Sequence, residues 1–365
     1  MHICNICLDR QILFYIIVYN LLFQHMLVYS KESGVEVPPH SFEVIYVPIN
    51  KNRLVQGYIR NRGLEYAYQD YKMGFKYKNV GIYYEIITNG QLLNELRQQN
   101  YSAGIAEFNV MAGSFAAFDV LGIQNTFNVS ASVFFPGYLQ FLEFYGNTFN
   151  VNRLAIPEYK NTVPGMWTHG NISTNYEAIN QQVLTGLKQY SNSNYRDLTF
   201  EEIINEDQVP NLVELFQKIN YHFVNQHKFV NFEEFPQHEK IIYIGGIVVE
   251  DKGILTQRNK TNPSPGEPTC VVYVSFGTIN IEGMDVYNLK IMLNNFTNYR
   301  HCFFKVRLGE EHYLKEDYLE TNIYFEGFAD DQQEILAKGN TKLFISHCGI
   351  NSLTEVNYLR LQASI

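Results

Sequence analysis

The stretch Lys342–Glu355, KLFISHCGINSLTE, decides the fold of this 365-residue chain. Its opening residues form an apolar, β-rich run, which is typical of a buried strand. A helix is predicted over Ser352–Leu359, so Gly349 lies at a tight connection between strand and helix. In open α/β sheets ligands bind outside the carboxyl ends of the strands, which makes this connection a candidate binding site.

The residues at this connection suit an anionic ligand that also carries hydroxyl groups. Gly349 allows the backbone to approach an anion closely. Asn351 and Ser352 would cap a helix whose unpaired N–H groups attract negative charge. His347 adds a donor that can be cationic, and Glu355 lies one turn into the helix, within reach of hydroxyl groups. Each of these residues also has an ordinary structural role, but their convergence predicts a nucleotide-diphosphate pocket.

The segments around this stretch alternate between strand and helix, as in a doubly wound parallel sheet. Predicted strands are Cys270–Phe276, Cys302–Val306 and Ile323–Phe325, and predicted helices are Met284–Phe296 and Asp330–Ala337. Ser275, Gly277 and Thr278 follow the first of these strands at a carboxyl edge. No G-x-G-x-x-G fingerprint follows a predicted strand, which disfavours a nucleotide-dependent oxidoreductase.

The N-terminal half carries a second, less regular α/β pattern. The spacing of Ala103–Ala106, Ala112–Leu121 and Thr126–Val129 is that of a β–α–β unit, which implies parallel strands. The other predicted elements are strands at Met26–Tyr29, Phe42–Val47 and Ile241–Ile244, and helices at Gln91–Gln98, Tyr176–Tyr190 and Asn211–Phe223. A Pro/Gly-rich stretch at 250–268 is the predicted linker between domains at 24–249 and 269–365.

Composition excludes several classes of protein. The 28 Lys and Arg against 37 Asp and Glu give a net charge of −9, which argues against a nucleic-acid binder because such proteins carry a basic patch. Five cysteines are too few and too scattered for a disulfide framework. The Asn-x-Ser/Thr sequons occur at about the number expected by chance in an Asn-rich chain, and they begin at Asn100, Asn128, Asn171, Asn259 and Asn295.

The apolar run Ile12–Phe23 leaves two interpretations open. It is shorter than the ~20 residues that span a bilayer, and Arg10 precedes it. These features fit a secretory signal over residues 1–23, although no small-x-small cleavage site follows. The run fits a first core strand or helix equally well.

Three motifs in the C-terminal half, in this order and spacing, resemble the UDP-glycosyltransferase family. They are VYVSFGT at Val272–Thr278, GFADDQQEIL at Gly327–Leu336 and the opening stretch Lys342–Glu355. More narrowly, they are similar to the animal UDP-glucuronosyltransferase and glucosyltransferase group, including its invertebrate members. The resemblance implies a GT-B fold, an α/β architecture in which two Rossmann-like, doubly wound domains face each other across a cleft. The C-terminal domain would hold the UDP-sugar and the N-terminal domain the acceptor.

The resemblance also assigns roles to individual residues on the donor side. His347, Asn351 and Ser352 would contact the diphosphate, with Gly277 and Gly349 beside it, and Glu355 would hold the ribose hydroxyls. Ser275 and Thr278 would line the phosphate end, and Gln332 would contact the ribose or the uracil. Phe328 stands where the family has a Trp that stacks on uracil, and Asp331 stands where it has a Pro.

The catalytic residues are harder to match. The family's base is a His in a loop after the first strand, and a carboxylate on a later strand raises its basicity. This chain has no matching loop, since His40 is the nearest His after the first strand and His25 precedes that strand. Glu107 aligns with the acidic position, and its alternative role is a strand-end carboxylate that faces water.

The implied activity is transfer of a hexosyl or glucuronosyl group from a UDP-sugar to a hydroxyl of a small lipophilic acceptor. The UDP-sugar is a substrate, so no cofactor is implied, and no metal is implied because no acidic pair with ligand spacing stands at the phosphate site. The family resides in the endoplasmic reticulum lumen or membrane. The family continues past the Glu355 helix to an Asp-Gln pair and, in animals, to a membrane anchor. We therefore expect an incomplete C-terminal domain without an anchor. The alternative hypothesis is a truncated, inactive relative that binds a nucleotide weakly or not at all.

Overall fold

A computed structural model gives the architecture of the chain. The residues it describes are 14–19, 24–30, 43–48, 82–83, 85–150, 210–231, 235–256, 261–277, 286–308, 312–327, 331–359 and 363–364. The predicted helix at Tyr176–Tyr190 lies outside these residues.

The first sheet is built from the N-terminal half of the chain. Its strands and those of a small ribbon are β1 (Phe14–Tyr19), β2 (Gln24–Ser30), β3 (Glu43–Pro48), β4 (Ala103–Ala106), β5 (Asn125–Ser130), β6 (Glu143–Phe144), β7 (Asn147–Thr148), β8 (Tyr221–Val224) and β9 (Ile241–Tyr243). The sheet runs in the order β3-β2-β1-β4-β5-β8-β9, and β6 pairs with β7 separately. Strand β1 is antiparallel to both of its neighbours, whereas the other pairs are parallel.

Helices cover this sheet and bury its apolar residues. They are α1 (Gly90–Gln98), α2 (Phe108–Val120) and α3 (Leu212–Lys218). Helix α1 buries Leu92 and Leu96, and Asn89 caps it by accepting a hydrogen bond from the backbone N–H of Leu92. The rings of Phe108 and Phe216 lie 5.0 Å apart between α2 and α3. Strands β4 and β5 flank α2 in the chain and pair in parallel, so the predicted β–α–β unit is present with a slightly longer helix.

The predicted helix over Asn211–Phe223 is wrong in its second half. Helix α3 begins after Asn211, whose side chain accepts from the N–H groups of Val213 and Glu214, and it ends at Lys218. The following residues form β8, in which exposed and buried positions alternate. Aromatic and β-branched residues that alternate in burial favour a strand, and here that pattern prevails over a continued helix.

The second sheet is parallel throughout and is covered on both faces. Its strands and helices are α4 (Ile247–Lys252), β10 (Val271–Ser275), α5 (Val286–Phe296), β11 (Phe303–Arg307), β12 (Ile323–Glu326), α6 (Gln332–Ala337), β13 (Thr341–Ser346), α7 (Ile350–Leu359) and β14 (Ala363–Ser364). The strand order is β12-β11-β10-β13-β14. Every residue of β10 is buried: Val272 and Val274 pack with Leu289 of α5, and Tyr273 packs with Leu336 of α6. The doubly wound architecture predicted from the sequence is therefore confirmed.

Much of the segment predicted as a linker packs against the second sheet. Helix α4 is bounded by Gly246 and Gly253, which both have positive φ angles, and Val249 and Leu255 are buried with Tyr273. Glu267 forms an ion pair with Lys338 over 2.6 Å. Helix α4 and the residues after it are therefore held by the C-terminal sheet.

A disulfide joins Cys270 to Cys302, which directly precede the neighbouring strands β10 and β11. The pairing of Val271 with Phe303 places the two cysteines opposite each other, with their Cα atoms 4.6 Å apart. Cysteine number and spacing gave no sign of this bond, because it depends on the register between two parallel strands.

The apolar run Ile12–Phe23 contains a strand. Residues Phe14–Tyr19 form β1, which pairs with β2 on one side and β4 on the other. Within the part of the chain that the structure describes, no helix has the length and apolar character needed to span a bilayer.

Candidate active site

His347 lies between two glycines at the carboxyl edge of the second sheet. A Cβ atom added at Gly277 would come within 2.6 Å of Cε1 of His347, and one added at Gly349 within 2.6 Å of its Nε2. Gly277 also has a φ of +82°, which L side chains rarely adopt. These glycines follow β10 and β13, which are adjacent in the sheet. We call the space that the two glycines leave for the imidazole the seat of His347.

Helix α7 begins at Ile350, two residues before the predicted start. Asn351 and Ser352 therefore lie in its first turn, and the expectation that their side chains cap the helix is wrong. The N–H of Leu353 donates to the carbonyl of Gly349 over 3.0 Å. The N–H groups of the preceding residues belong to the first turn of a helix, where no intrahelical acceptor exists. This positive end of the helix lies beside His347.

Helices α6 and α7 bring together three polar side chains, those of Gln332, Ser352 and Glu355. Nε2 of Gln332 donates to Oγ of Ser352 over 3.2 Å and also to the carboxylate of Glu355. Burial raises the pKa of Glu355, whereas the hydrogen bonds from Gln332 and Gln333 act in the opposite direction. A ribose that used the Glu355 carboxylate would therefore have to replace the amide of Gln332.

Asp331, which departs from the family pattern, has a defined structural role. Its carboxylate accepts a hydrogen bond from the N–H of Gln333 over 3.0 Å and so caps α6. Its other oxygen pairs with Nζ of Lys252 in α4 over 2.7 Å. The carboxylate thus fixes the start of the helix that carries Gln332.

Glu107 directly follows β4 at the carboxyl edge of the first sheet and occupies the N-cap position of α2. Its side chain is partly buried, and Oε1 accepts a hydrogen bond from the N–H of Ala131 over 3.4 Å. Burial raises the pKa of Glu107 to about 7, and the hydrogen bond from Ala131 opposes this shift. A carboxylate in this range can accept a proton near neutral pH.

The residue after Glu107 is held by a hydrogen bond to Asn128, which in turn contacts His222. Oδ1 of Asn128 accepts from the N–H of Phe108 over 2.8 Å, which orients the amide, and its Nδ2 lies 3.1 Å from Nδ1 of His222. The amide therefore donates to Nδ1, which makes His222 a neutral imidazole protonated at Nε2. Burial lowers the pKa of His222 to about 3.

Asn225 is a site residue that was not recognised from the sequence. It directly follows β8, and its Nδ2 donates to the carbonyl of Ala131 over 3.2 Å and to Oδ1 of Asn351 over 2.9 Å. The second bond connects the carboxyl edges of the two sheets. Recognising Tyr221–Val224 as a strand would have placed Asn225 at a carboxyl edge.

The remaining predicted residues fall into three groups. Ser275 is buried at the end of β10, opposite Ser346. Thr278, Phe328 and His40 lie outside the described residues. His25 is buried in β2 at the amino end of the sheet, where Nε2 contacts Glu43 over 3.0 Å and Nδ1 lies 2.5 Å from the hydroxyl of Tyr101.

Among the described residues, no group of three or more His, Cys, Asp or Glu side chains is arranged to hold a metal ion.

Comparison with known proteins gives one similar curated sequence and several similar folds. The chain is 35% identical over 114 residues to the Caenorhabditis elegans protein "Putative UDP-glucuronosyltransferase ugt-56". The match covers 31% of this chain and 21% of that protein, so it spans about a fifth of the relative's length. No model of a known protein family matches the chain.

The crystal structure of the glycotransferase of kitacinnamycin has a similar fold. It superposes with a TM-score of 0.50 at 12% identity, over 88% of this chain and 67% of that one. Phytolacca americana UGT2, complexed with UDP-2fluoro-glucose and pterostilbene, gives a TM-score of 0.47 at 12% identity, over 93% and 72% of the two chains. The GT-B fold predicted from the motifs is confirmed. The chain is thus similar, over part of its length, to a protein named as a UDP-glucuronosyltransferase, and it shares the fold of a solved glycosyltransferase.

Proposed function

We propose that this protein transfers a hexosyl or glucuronosyl group from a UDP-sugar to a hydroxyl group of a small lipophilic acceptor. The observation that carries the proposal is the seat of His347 between Gly277 and Gly349, beside the first turn of α7. A helix N-terminus and an imidazole N–H donor suit the charge of a diphosphate. The curated relative, named as a UDP-glucuronosyltransferase, favours the same donor class.

The reaction would be a single displacement at the anomeric carbon of the sugar. The acceptor hydroxyl loses its proton and forms the new glycosidic bond, while the bond to the diphosphate breaks and UDP leaves. His347, Asn351 and the N–H groups at the start of α7 would stabilise the charge on the departing diphosphate. Gln332 and Glu355 would bind the nucleoside side, which requires their mutual hydrogen bond to open.

Glu107 is the group we assign to the acceptor side. It lies at the edge of the first sheet that faces α7, because Asn225 links the two edges. Its raised pKa and partial burial suit either acceptance of the hydroxyl proton or orientation of a separate base. Replacement by Gln is expected to slow transfer by about 10²–10⁴-fold with little change in UDP affinity.

UDP affinity, measured by calorimetry, is the direct test of the donor site. His347→Ala is expected to weaken UDP binding by about tenfold, the loss of one hydrogen bond to a charged group. His301→Ala, at an exposed turn, is the matched control and should bind UDP as the unaltered protein does. Unchanged affinity in His347→Ala would show that the pocket assignment is wrong.

Release of UDP separates the enzyme from the alternative, an inactive relative that binds a nucleotide weakly. UDP-glucose and UDP-glucuronic acid would each be incubated with a panel of phenols and aliphatic alcohols, and UDP release would be measured. Acceptor-dependent release establishes transfer, and the more active donor identifies the sugar. UDP binding without release under any of these conditions would favour the inactive relative.

We also propose that the protein resides in the endoplasmic reticulum lumen or at its membrane. The Cys270–Cys302 disulfide supports an oxidising compartment, because such bonds are rare in the cytosol. Immunofluorescence against a luminal marker, with selective permeabilisation of the plasma membrane, tests this location. Detection after plasma-membrane permeabilisation alone would contradict it.

A further inference from the structure

Three residues form a row along the carboxyl edge of the first sheet, namely Glu107, Ala131 and Asn225. Each is the residue directly after a parallel strand, respectively β4, β5 and β8, and these strands are neighbours. The carboxyl ends of neighbouring parallel strands meet at one edge, so the three residues lie side by side. The row begins at the carboxylate assigned to the acceptor side and ends at the residue that contacts the donor side.

Hydrogen bonds run along this row without a gap. The N–H of Ala131 donates to Glu107, and the carbonyl of the same residue accepts from Nδ2 of Asn225. Asn225 is itself fixed, because its backbone N–H donates to the carbonyl of Ser130 over 2.9 Å. The remaining N–H of its amide donates to Oδ1 of Asn351. Both donors of the Asn225 side chain are therefore used, one for each domain.

These bonds determine which way the amide of Asn351 points. A backbone carbonyl can only accept, so the contact with Ala131 fixes the orientation of the Asn225 amide. Asn225 then presents an N–H to Asn351, which must turn its oxygen toward it. The Nδ2 of Asn351 consequently points away from Asn225. A side chain held in this orientation can only donate to a ligand on that other side, which matches the hydrogen-bonding requirement of a phosphate.

We propose that Asn225 is a positioning residue that holds Asn351 with its N–H donors toward the diphosphate of the donor. The inference rests on the proposed function, and it adds a residue of the acceptor-side domain to the donor site. Helix α7 has a second contact with the first domain, since the rings of Tyr358 and His227 lie 5.6 Å apart. Loss of Asn225 should therefore leave the two domains in contact.

The test compares two replacements of Asn225 by their affinity for UDP and for uridine. Asn225→Ala removes the hydrogen bond that orients the Asn351 amide and is expected to weaken UDP binding by about threefold. Asn225→Asp cannot donate to Asn351, so it should reverse the Asn351 amide and weaken UDP binding by about tenfold or more. Uridine lacks the diphosphate, so its affinity, measured by competition, should be unchanged. Asn125→Ala is the matched control, because it removes an exposed amide bond to the carbonyl of Ser102 at the opposite edge.

A double-mutant cycle tests whether Asn225 acts through Asn351. If it does, Asn225→Ala should have no further effect on UDP affinity in an Asn351→Ala background. Equal losses for UDP and uridine, or full additivity with Asn351→Ala, would overturn the proposal. If Asn225→Ala binds UDP normally while His347→Ala does not, the proposal fails and the proposed function stands. If His347→Ala and Asn351→Ala both bind UDP normally, the proposed function itself fails.

Discussion

At the scale of single residues, the site depends on the absence of side chains as much as on their presence. His347 can occupy its position only because Gly277 and Gly349 leave room for the ring. Cys348, between His347 and Gly349, has a φ of +60°, which is uncommon for a residue with a Cβ atom. The connection from β13 to α7 therefore combines a backbone conformation that few residue types adopt with the imidazole that we propose binds the diphosphate.

Replacing these glycines should weaken UDP binding for a steric reason. Gly349→Ala is expected to displace His347 and to reduce UDP affinity by about tenfold, as removal of the imidazole does. Gly277→Ala should show the same loss plus a backbone cost of about 1–2 kcal/mol from its positive φ. Gly266→Ala separates the two effects, because Gly266 has a φ of +89° and nothing near its added Cβ. Normal UDP affinity in Gly349→Ala would contradict this account of the seat.

The contribution of Glu107 to the free energy of unfolding should fall as the pH rises. Its folded-state pKa of about 7 lies above the ordinary value of 4.5, so the native state binds its proton more tightly than the unfolded chain. Between pH 4.5 and 7 this contribution is progressively lost, and above pH 7 the buried carboxylate is a constant cost. Glu107→Gln should therefore be more stable than the unaltered protein at pH 8, by on the order of 1–3 kcal/mol, and similar to it at pH 4.5. Urea unfolding at the two pH values measures the difference, and parallel pH dependences would contradict it.

At the scale of elements, a departure from the family motif is explained by a helix cap. Asp331 begins α6 and joins it to α4 through Lys252, so it holds the helix that presents Gln332 to Glu355. A Pro at this position would offer neither the carboxylate that caps the helix nor the ion pair. In this chain the cap and the ion pair of Asp331 thus fix the start of the helix that carries Gln332.

Asp331→Ala should destabilise the protein by about 1 kcal/mol through loss of the cap. Asp331→Asn keeps a capping oxygen and loses only the partly exposed ion pair, which is worth about 0–1 kcal/mol, so its effect should be smaller. Thermal denaturation of both variants gives the comparison. An equal loss in the two variants would show that the ion pair, rather than the cap, is the stabilising contact.

At the scale of the whole molecule, much of the architecture could be predicted because its signals are local. The motif at Lys342–Glu355 contains a strand, a turn and a helix start, and it correctly indicated a doubly wound sheet. What could not be predicted depends on contacts between distant segments. Assigning Tyr221–Phe223 to a helix concealed Asn225, and the link from Asn225 to Asn351 spans 126 positions in the sequence. The disulfide likewise depends on a strand register that composition does not reveal.

The disulfide should contribute to global stability without affecting the donor site. It closes a loop with a sequence separation of 32, for which loop entropy predicts a loss of about 3–4 kcal/mol on removal. It precedes β10 and β11 and therefore lies at the amino end of the sheet, opposite the proposed UDP pocket. The double variant Cys270→Ala/Cys302→Ala should unfold at lower urea concentration yet bind UDP normally at low temperature. A double variant as stable as the unaltered protein would contradict the prediction.

The buried amide of Asn128 has a consequence for how the protein is made. Asn128 begins a sequon, and its Nδ2, the atom to which an N-glycan would be attached, contacts His222 inside the sheet. A glycan at this position and the pairing of β5 with β8 exclude each other. Chains glycosylated there during synthesis would therefore be lost to misfolding. Ser130→Ala removes the sequon and keeps Asn128, and it is suited to production in eukaryotic cells because the buried Ser130 hydroxyl meets no partner among the described residues.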